Sequence, residues 1–150
     1  MAVTVERIYA GGLAAVEPLF ADYQRFYEVE EIDEARNRAF LERFVGSDEQ
    51  GWLFGAFEGG EILGFTCLHR SKSSLRAADT VLMYDLFVIP EARGKGVGRA
   101  LIEKALEVAR ESGAAALEWT TAPDNETAQR LYDSIPGAEK SPWLEYEIEI

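Results

Sequence analysis

Apolar residues recur along this chain at two spacings, and each spacing predicts a different kind of element. Over 13–28 they fall every three or four positions, which is typical of a helix with one buried stripe, and a second helix is predicted over 33–45. Over 51–58 and 61–69 the residue types favour strands, and the Gly-Gly pair between these runs predicts a tight hairpin. The first half of the chain therefore predicts two helices followed by an antiparallel pair.

The second half alternates strands with helices. After a polar loop over 70–79, an almost continuous apolar run over 80–89 predicts a central strand that Pro90 closes. The pattern then predicts a helix over 96–112, a strand over 115–121, a helix over 125–134 and a last strand over 143–150, in which apolar residues alternate with Glu145, Glu147 and Glu149. With an edge strand over 3–9, this order predicts a mixed α+β fold with a mostly antiparallel sheet.

Length, charge and cysteine count narrow the classes of function. The 150 residues fit one compact domain over 1–150. No stretch approaches the roughly 20 consecutive apolar residues of a membrane helix, and the first residues lack a signal-peptide pattern, so we expect a cytoplasmic protein without a membrane segment. The single cysteine, Cys67, excludes an internal disulfide and a multi-cysteine zinc site. The net charge of −12 disfavours nucleic acid; it suits a cationic amine substrate or serves only solubility.

The strongest chemical signal is the sequence Arg-Gly-Lys-Gly-Val-Gly over 93–98, between a predicted strand and a predicted helix. The first amides of a helix have no partner within the helix and lie at the positive end of its dipole, so they can hold a phosphate. Arg93, Lys95 and Arg99 add positive charge to an otherwise acidic chain. The segment predicts a pyrophosphate site, with a simple glycine-rich helix cap as the alternative.

Two other phosphate-binding patterns fit this segment less well. The string Gly-x-x-x-x-Gly-Lys-Ser/Thr of a P-loop is absent from the chain. The dinucleotide pattern Gly-x-Gly-x-x-Gly differs in spacing and should follow the first strand of a parallel sheet, whereas an antiparallel meander comes first here. Glu118 lies about 20 residues on, as a ribose-binding acid would, but inside a predicted strand rather than at its end.

The order of elements and two motifs resemble the GNAT acetyltransferases over essentially the whole chain. The segment over 93–98 is similar to the Arg-x-x-Gly-x-Gly pyrophosphate motif of that family. Downstream, the segment over 119–132 is similar to the family's Asn, Ala and Tyr pattern that leads into the next helix. The resemblance implies the GNAT fold, with splayed central strands and helices on both faces of the sheet, and acetyl-CoA as cosubstrate.

The resemblance also implies where acetyl-CoA binds. Backbone groups of the central strand would pair with the pantetheine amides, and the loop amides would hold the pyrophosphate. The residues expected to bind the cofactor are Phe87, Val88, Arg93, Gly94, Lys95, Gly96, Val97, Gly98, Arg99 and Asn125. Asn125 would orient the cofactor or cap the following helix, and the sequence leaves both roles open.

Tyr132 and Asp85 are the predicted catalytic residues. Tyr132 matches the family's tyrosine, and with an ordinary pKa of about 10 it stays protonated and can donate to the departing thiolate. Its alternative role is packing on the sheet. Asp85 is the first candidate for the base that deprotonates the amine, with a structural hydrogen-bonding role equally open, because a buried carboxylate needs a partner or a water-lined cleft. Polyamine acetyltransferases of the family carry Glu-Asp where this chain has Tyr84-Asp85, so their acidic base is absent.

The acceptor side is predicted near the end of the first helix. Tyr23, Tyr27 and Glu28, followed by further glutamates, resemble the substrate wall of the family, and Tyr84 is expected to join them. A packed helix face followed by a solvated acidic turn is the alternative. His69 could serve as a base, although an isolated histidine is more often a satisfied polar residue.

We expect direct acetyl transfer from acetyl-CoA to a primary amine of a small molecule, in a homodimer that pairs through its last strands. The alternatives are a protein or histone lysine acetyltransferase and a non-catalytic acyl-CoA-binding domain. Glu145, Glu147 and Glu149 complicate the predicted pairing, because charged edges usually prevent it.

Overall fold

A computed structural model describes residues 2–150, which divide into two compact units. The first unit extends to Trp119 and the second comprises Thr120–Ile150. The helices and strands, in chain order, are β1 (Thr4–Arg7), α1 (Leu13–Phe26), α2 (Glu34–Glu42), β2 (Gly51–Glu58), β3 (Glu61–Ser73), β4 (Ala78–Val88), α3 (Val97–Glu111), β5 (Leu117–Glu118) and α4 (Glu126–Asp133). A single domain over the whole chain stays a prediction.

The first unit contains one five-stranded mixed sheet in the order β1-β2-β3-β4-β5. The first four strands pair antiparallel and β5 pairs parallel with β4, which confirms the meander and the edge position of β1. Gly59 and Gly60 join β2 to β3 with φ of 57° and 84°, a left-handed turn that glycine adopts without steric cost. The hairpin was thus predictable from two residues.

Local sequence explains the ends of the helices. The carboxylate of Asp33 accepts a hydrogen bond from the Arg36 amide at 3.0 Å and caps α2. At the end of α1, the Glu28 amide donates to Arg25 and the Val29 amide donates to Gln24, both at 3.0 Å. These two bonds form a Schellman motif in which Glu28, at φ 59°, occupies the left-handed position that usually belongs to glycine. Helix α1 therefore ends two residues before the predicted boundary.

Helices cover both faces of the sheet. Apolar residues of α1 and of the α2 segment pack with Leu53, Phe65, Cys67 and Phe87 in one core cluster. Val97 and Leu101 of α3 pack with Ala56 and Leu63 in another, to which Leu86 and Val88 add. Because consecutive strand residues point to opposite sides, Phe87 and its two neighbours place these clusters on opposite faces.

Three predicted boundaries differ from the structure. The polar loop over 70–79 is mostly strand, since β3 and β4 extend into it and leave a turn of four residues, 74–77. The predicted strand over 115–121 contains only two paired residues, Leu117 and Glu118. Alternation alone placed a strand at 143–150, and this was wrong: the segment has no regular structure and its side chains are exposed. An amphipathic pattern needs a sheet edge to pair with, and none pairs with this segment within residues 2–150.

The second unit consists of α4 and irregular chain on either side. The side chain of Asn125 accepts a hydrogen bond from the Ala128 amide at 3.1 Å, so it caps α4. Lys140 lies 3.1 Å from the carboxylate of Asp133 at the other end of the helix. Throughout residues 2–150, every helix is too short or too polar to cross a bilayer.

Candidate active site

Strand β4 has an open edge over its second half. Within residues 2–150 it pairs with β5 at Val81 and Leu82 only, and no ladder continues along this edge beyond Leu82. The Ile89 amide donates to the Leu63 carbonyl at 2.9 Å, which fixes the alternation of the β3–β4 ladder. The backbone groups of Val88 therefore point away from β3, while those of Phe87 point toward it. Of the two residues predicted to pair with pantetheine, only Val88 presents its backbone to the open edge.

The segment over 93–98, which we call the glycine loop, leads from β4 into α3. Gly94 and Gly96 have φ of 77° and 85°, so both positions favour glycine for conformational reasons. A Cβ atom built on either residue would meet nothing within 4 Å, which means that the space beside the loop is open. The Ala100 amide donates to the Gly96 carbonyl at 3.1 Å as the first bond of α3, and the amides of Val97 and Gly98 precede it. This arrangement suits an anion.

Arg93 ties the glycine loop to the end of β4. Its Nε donates to the Val88 carbonyl at 2.8 Å. Its guanidinium carbon lies 5.8 Å from the centre of the Phe26 ring and 5.6 Å from that of the Phe87 ring, within cation–π range of both. Phe26 was not singled out by any motif, and its contact with the loop could not be read from the sequence.

A β-bulge shapes the middle of β4. Cys67 on β3 faces Asp85, and the next residue, Leu68, faces Met83, so Tyr84 is an extra residue without a partner of its own. The side chain of Asp85 accepts a hydrogen bond from the Cys67 amide at 2.5 Å. The carboxylate thus supplies an acceptor at the position where the ladder is interrupted.

Asp85 is the buried carboxyl group of this face, only 4% exposed. Burial raises its pKa to about 7, although the hydrogen bond from the Cys67 amide acts in the opposite direction. The group can therefore bind or release a proton near neutral pH. Burial, with the charge of Asp85 in addition, also raises the pKa of the Cys67 thiol, which keeps the thiol protonated.

Tyr23 and Tyr27 lie close enough to this carboxyl group to be affected by its charge, and Tyr84 precedes it in β4; we call these three residues the tyrosine wall. Burial raises the pKa of Tyr23 and Tyr27, and the negative charge of Asp85 raises both further. The Tyr23 and Tyr27 rings meet edge to face, with centres 5.2 Å apart. The predicted acceptor residues Tyr23, Tyr27 and Tyr84 are thus brought together beside Asp85, and the hydroxyls of Tyr23 and Tyr27 remain neutral hydrogen-bond donors.

His69 lies behind the wall rather than in it. Its ring stacks between Phe44, at 5.0 Å, and Tyr84, at 5.3 Å. Burial lowers the pKa of His69, and the charge of Arg43 lowers it further, so the imidazole is neutral. A stacking position in the aromatic layer does not favour the role of base.

Glu28 ends α1 beside Tyr27 in the strained backbone conformation already described. Tyr27 and Tyr84 are 51% and 61% exposed, so one side of the wall is open to solvent. Three exposed glutamates, Glu28, Glu30 and Glu31, follow Tyr27 in the sequence.

Tyr132 and Asn125 belong to the second unit. Tyr132 lies in the last turn of α4 and is half-buried. Asn125 caps the helix, as one of its two predicted roles required. Cofactor orientation by Asn125 and proton donation by Tyr132 stay predictions.

A surface groove of about 430 Å³ lies elsewhere in the first unit, beside α3. Its lining includes Arg7, Trp52, Arg70 and Glu111 and none of the predicted site residues. Its cations already have partners: Arg7 pairs with Asp48, and Arg70 donates to the Asp48 carbonyl and stacks over Trp52.

Comparison with known proteins gives consistent matches. The family model described as the Acetyltransferase (GNAT) family matches residues 16–135. YhfO of Bacillus subtilis, an uncharacterized N-acetyltransferase, is 35% identical over 89% of this chain and 88% of its own. The D-amino-acid N-acetyltransferase HPA3 of Saccharomyces cerevisiae is 33% identical over 89% of this chain and 83% of its own.

Solved structures give the same architecture. The crystal structure of a probable acetyltransferase superposes with a TM-score of 0.83 at 30% identity and covers 100% of this chain and 98% of that one. An aminoglycoside N-acetyltransferase, AAC(6')-Iy in complex with CoA, superposes with a TM-score of 0.85 over 99% of this chain and 95% of its own, and at 17% identity it supports the fold alone.

Proposed function

The chain belongs to the GNAT family and is an acetyltransferase, and from that premise we propose that it transfers the acetyl group of acetyl-CoA to a primary amine of a small molecule by direct attack. The observation that carries this proposal is Asp85, a buried carboxyl group with a pKa of about 7 beside the tyrosine wall. It is a proton acceptor matched to neutral pH at the place where a cationic amine could enter.

The first unit fits the cosubstrate that GNAT enzymes use. The glycine loop offers amides at the start of α3, an open space beside Gly94 and Gly96, and the cation of Arg93. The open edge of β4 offers the backbone of Val88 to a pantetheine amide. Acetyl-CoA supplies the activated acyl thioester, and the residues of the chain position it and handle the protons.

Proton transfer from the acceptor falls to Asp85 in this proposal. An aliphatic amine is protonated at neutral pH and must lose a proton before it can attack a carbonyl carbon. Oδ1 of Asp85 accepts from the Cys67 amide, which holds the carboxylate in place, and Oδ2 takes the proton. The neutral hydroxyls of Tyr23 and Tyr27 orient the amine, and their faces together with the ionised carboxylate favour a cation before transfer.

Tyr132 serves as the general acid in this scheme. Its hydroxyl would protonate the departing thiolate, which is the role that the family motif implies for this tyrosine. In this scheme Asp85 accepts a proton and Tyr132 donates one.

The proposed acceptor is a small amine. HPA3 acts, by its name, on D-amino acids, and a relative from Nocardia farcinica, 39% identical over 51% of this chain and 38% of its own, is named for L-2,4-diaminobutyric acid. These names make amino acids and diamines the first compounds to test.

The test is a panel of amino acids of both configurations, diamines, aminoglycosides and lysine peptides, assayed for release of CoA from acetyl-CoA. We expect a small amine to give the highest kcat/KM and acetyl-CoA to raise the melting temperature. Ligand at 100 times its Kd adds about 2.7 kcal/mol to the free energy of unfolding. Release only with peptides would reject the small-molecule acceptor, and the absence of any thermal shift with millimolar acetyl-CoA would reject the cosubstrate.

We also propose a homodimer that buries the C-terminal segment 143–150. Its large apolar side chains are almost fully exposed: Trp143, Leu144, Tyr146, Ile148 and Ile150. A strand pattern of this kind becomes stable when another chain pairs with it, and a second copy is the partner we propose. Light scattering should give a dimer mass at micromolar concentration and a monomer mass after removal of residues 143–150. A monomeric full-length chain would reject the proposal.

A further inference from the structure

Five side chains of the first unit form a closed circuit of contacts between the glycine loop and the tyrosine wall. Arg93 contacts the rings of Phe26 and Phe87, at 5.8 and 5.6 Å. Phe26 meets Tyr27 edge to face at 5.0 Å, and Tyr27 meets Tyr23 at 5.2 Å. Tyr23 meets Phe87 at 6.4 Å and closes the circuit. The cation of the loop therefore reaches Tyr23 and Tyr27 through one intervening ring each.

We propose that Phe26 is a positioning residue that, through Arg93, couples filling of the glycine loop by the cosubstrate to the geometry of the tyrosine wall. The inference rests on the proposed function, because it takes the loop as the anion site and the wall as the acceptor site. Phe26 is 54% exposed and lies at the end of α1. A half-exposed aromatic ring contributes less to folding stability than a buried one. The role we propose for Phe26 therefore comes from its contacts with Arg93 and Tyr27.

The physical link is the guanidinium group of Arg93. A guanidinium has five N–H donors in one plane, and the hydrogen bond to Val88 uses the one on Nε. Phosphate oxygens can therefore be bound by the Nη groups while the plane stays over the two rings. Fixing Arg93 then restricts Phe26 and Phe87, and these restrict Tyr27 and Tyr23. Side chains that acetyl-CoA has already ordered lose no further conformational entropy when the acceptor amine binds. The two ligands therefore bind with positive coupling.

Fluorine NMR of protein labelled with 3-fluorotyrosine tests the coupling, with CoA as the probe and Tyr27→Phe to assign the Tyr27 resonance. In the wild type, saturation with CoA should shift or sharpen the Tyr27 resonance. In Phe26→Leu the Kd for CoA should stay within about threefold, well below the usual range of an allosteric coupling, while the change at Tyr27 is lost. Phe57→Leu is the matched control: it removes a partly buried ring on β2 outside the circuit and should leave the change intact.

The outcomes separate this inference from the function on which it rests. If CoA binds Phe26→Leu and still moves the Tyr27 resonance as in the wild type, Phe26 does not carry the coupling and the inference is overturned. If CoA binds the wild type and Tyr27 does not respond, coupling itself is rejected while the cosubstrate proposal stands. A wild type that does not bind CoA rejects both.

Discussion

The tyrosine wall lies beside the middle of β4 and the glycine loop follows the end of this strand, but the two are built on opposite principles. The wall works through side chains: Asp85 is buried, and burial raises the pKa of this carboxyl group and of Tyr23 and Tyr27. The loop works through its backbone: Gly94 and Gly96 have left-handed φ angles and open space around them. In the first region the burial of Asp85 controls protonation, whereas in the second the backbone amides can act as donors to an anion.

This difference means that substitutions should separate chemistry from binding. A change at Asp85 should alter proton transfer and leave the loop intact, whereas a change in the loop should alter cosubstrate affinity and leave protonation intact. The contacts of Arg93 connect the two regions. If substitutions in the two regions had fully independent effects, this result would argue against the proposed coupling.

The largest effect is expected from Asp85→Asn. The amide keeps an oxygen that can accept from the Cys67 amide but cannot take a proton from the amine, so kcat should fall about 100-fold or more. In the wild type the rate should rise with pH through about 7, where Asp85 ionises, and this rise should be absent in the variant. A variant with wild-type turnover and an unchanged pH profile would leave Asp85 with the structural role alone.

The same substitution should change stability with a defined sign. The folded pKa of Asp85, about 7, exceeds its ordinary value of 3.8, so the folded protein binds this proton more tightly than the unfolded chain does. The contribution of Asp85 to stability is then fully present below about pH 4 and is lost as pH rises through 7. Asp85→Asn removes this dependence and should raise the free energy of unfolding above neutral pH by up to about 4 kcal/mol relative to the wild type. Denaturation by urea below pH 4 and above pH 7 measures the difference.

Tyr132→Phe should lower kcat about 100-fold and change the affinity for acetyl-CoA only a few fold, because Phe keeps the ring and removes the proton. The rise of the rate with pH that Asp85 governs should remain, since it belongs to the wall. Rapid-mixing kinetics together with equilibrium binding would separate the two quantities. Wild-type turnover in this variant would show that the thiolate leaves without a proton from Tyr132.

The sequence predicted the glycine loop better than it predicted the wall. A left-handed backbone conformation favours glycine, so it can be recognised in the sequence. Gly94 and Gly96 indicated both the turn and the start of α3. The wall depends on the β4 bulge, and no residue type in the sequence indicates this bulge. By strict alternation Tyr84 and Asp85 would point to opposite faces, yet Tyr84 stacks on His69 and the charge of Asp85 acts on Tyr23, on the face that α1 and α2 cover.

A pattern of apolar residues also does not show which strands or side chains lie next to an element in the folded chain. Alternation predicted β2 and β3 correctly because each has a partner strand, but it also predicted a strand at 143–150, where none pairs within the described residues 2–150. Phe26 looked like one more apolar residue of α1, and only its contact with Arg93, 67 positions later in the sequence, distinguishes it.

A smaller effect, on binding alone, is expected from Gly96→Val. A branched side chain at φ 85° strains the entrance of α3 and fills the space beside the loop, so the Kd for acetyl-CoA should rise about 10- to 100-fold, the equivalent of one or two charge-assisted hydrogen bonds. Gly113→Val is the matched control: it has φ 79° and open space at the other end of the same helix. Calorimetry on both variants should show weakened binding only for Gly96→Val. Equal affinities would reduce the loop to a helix cap.

The smallest effect concerns Glu28 and Ala77, the two non-glycine residues among 2–150 that have a left-handed backbone. Glu28 at φ 59° and Ala77 at φ 50° each carry a Cβ atom in a conformation that favours glycine. Glu28→Gly and Ala77→Gly should each raise the free energy of unfolding by about 0.5–1 kcal/mol, because relief of the strain exceeds the added freedom of the unfolded chain.

Only one of this pair should affect catalysis. Ala77 lies in the β3–β4 turn, whereas Glu28 follows Tyr27 at the open side of the tyrosine wall. A strained conformation persists where the side chain has a use, and the use we propose for Glu28 is attraction of the cationic amine. Glu28→Gly should therefore raise the KM of the best amine from the panel about two- to fivefold, on the scale of a partly screened charge pair, and more strongly at low ionic strength. Ala77→Gly should leave that KM unchanged. Equal KM values in both variants would mean that Glu28 only ends α1, and that the wall selects its amine with Asp85 and the tyrosine rings alone.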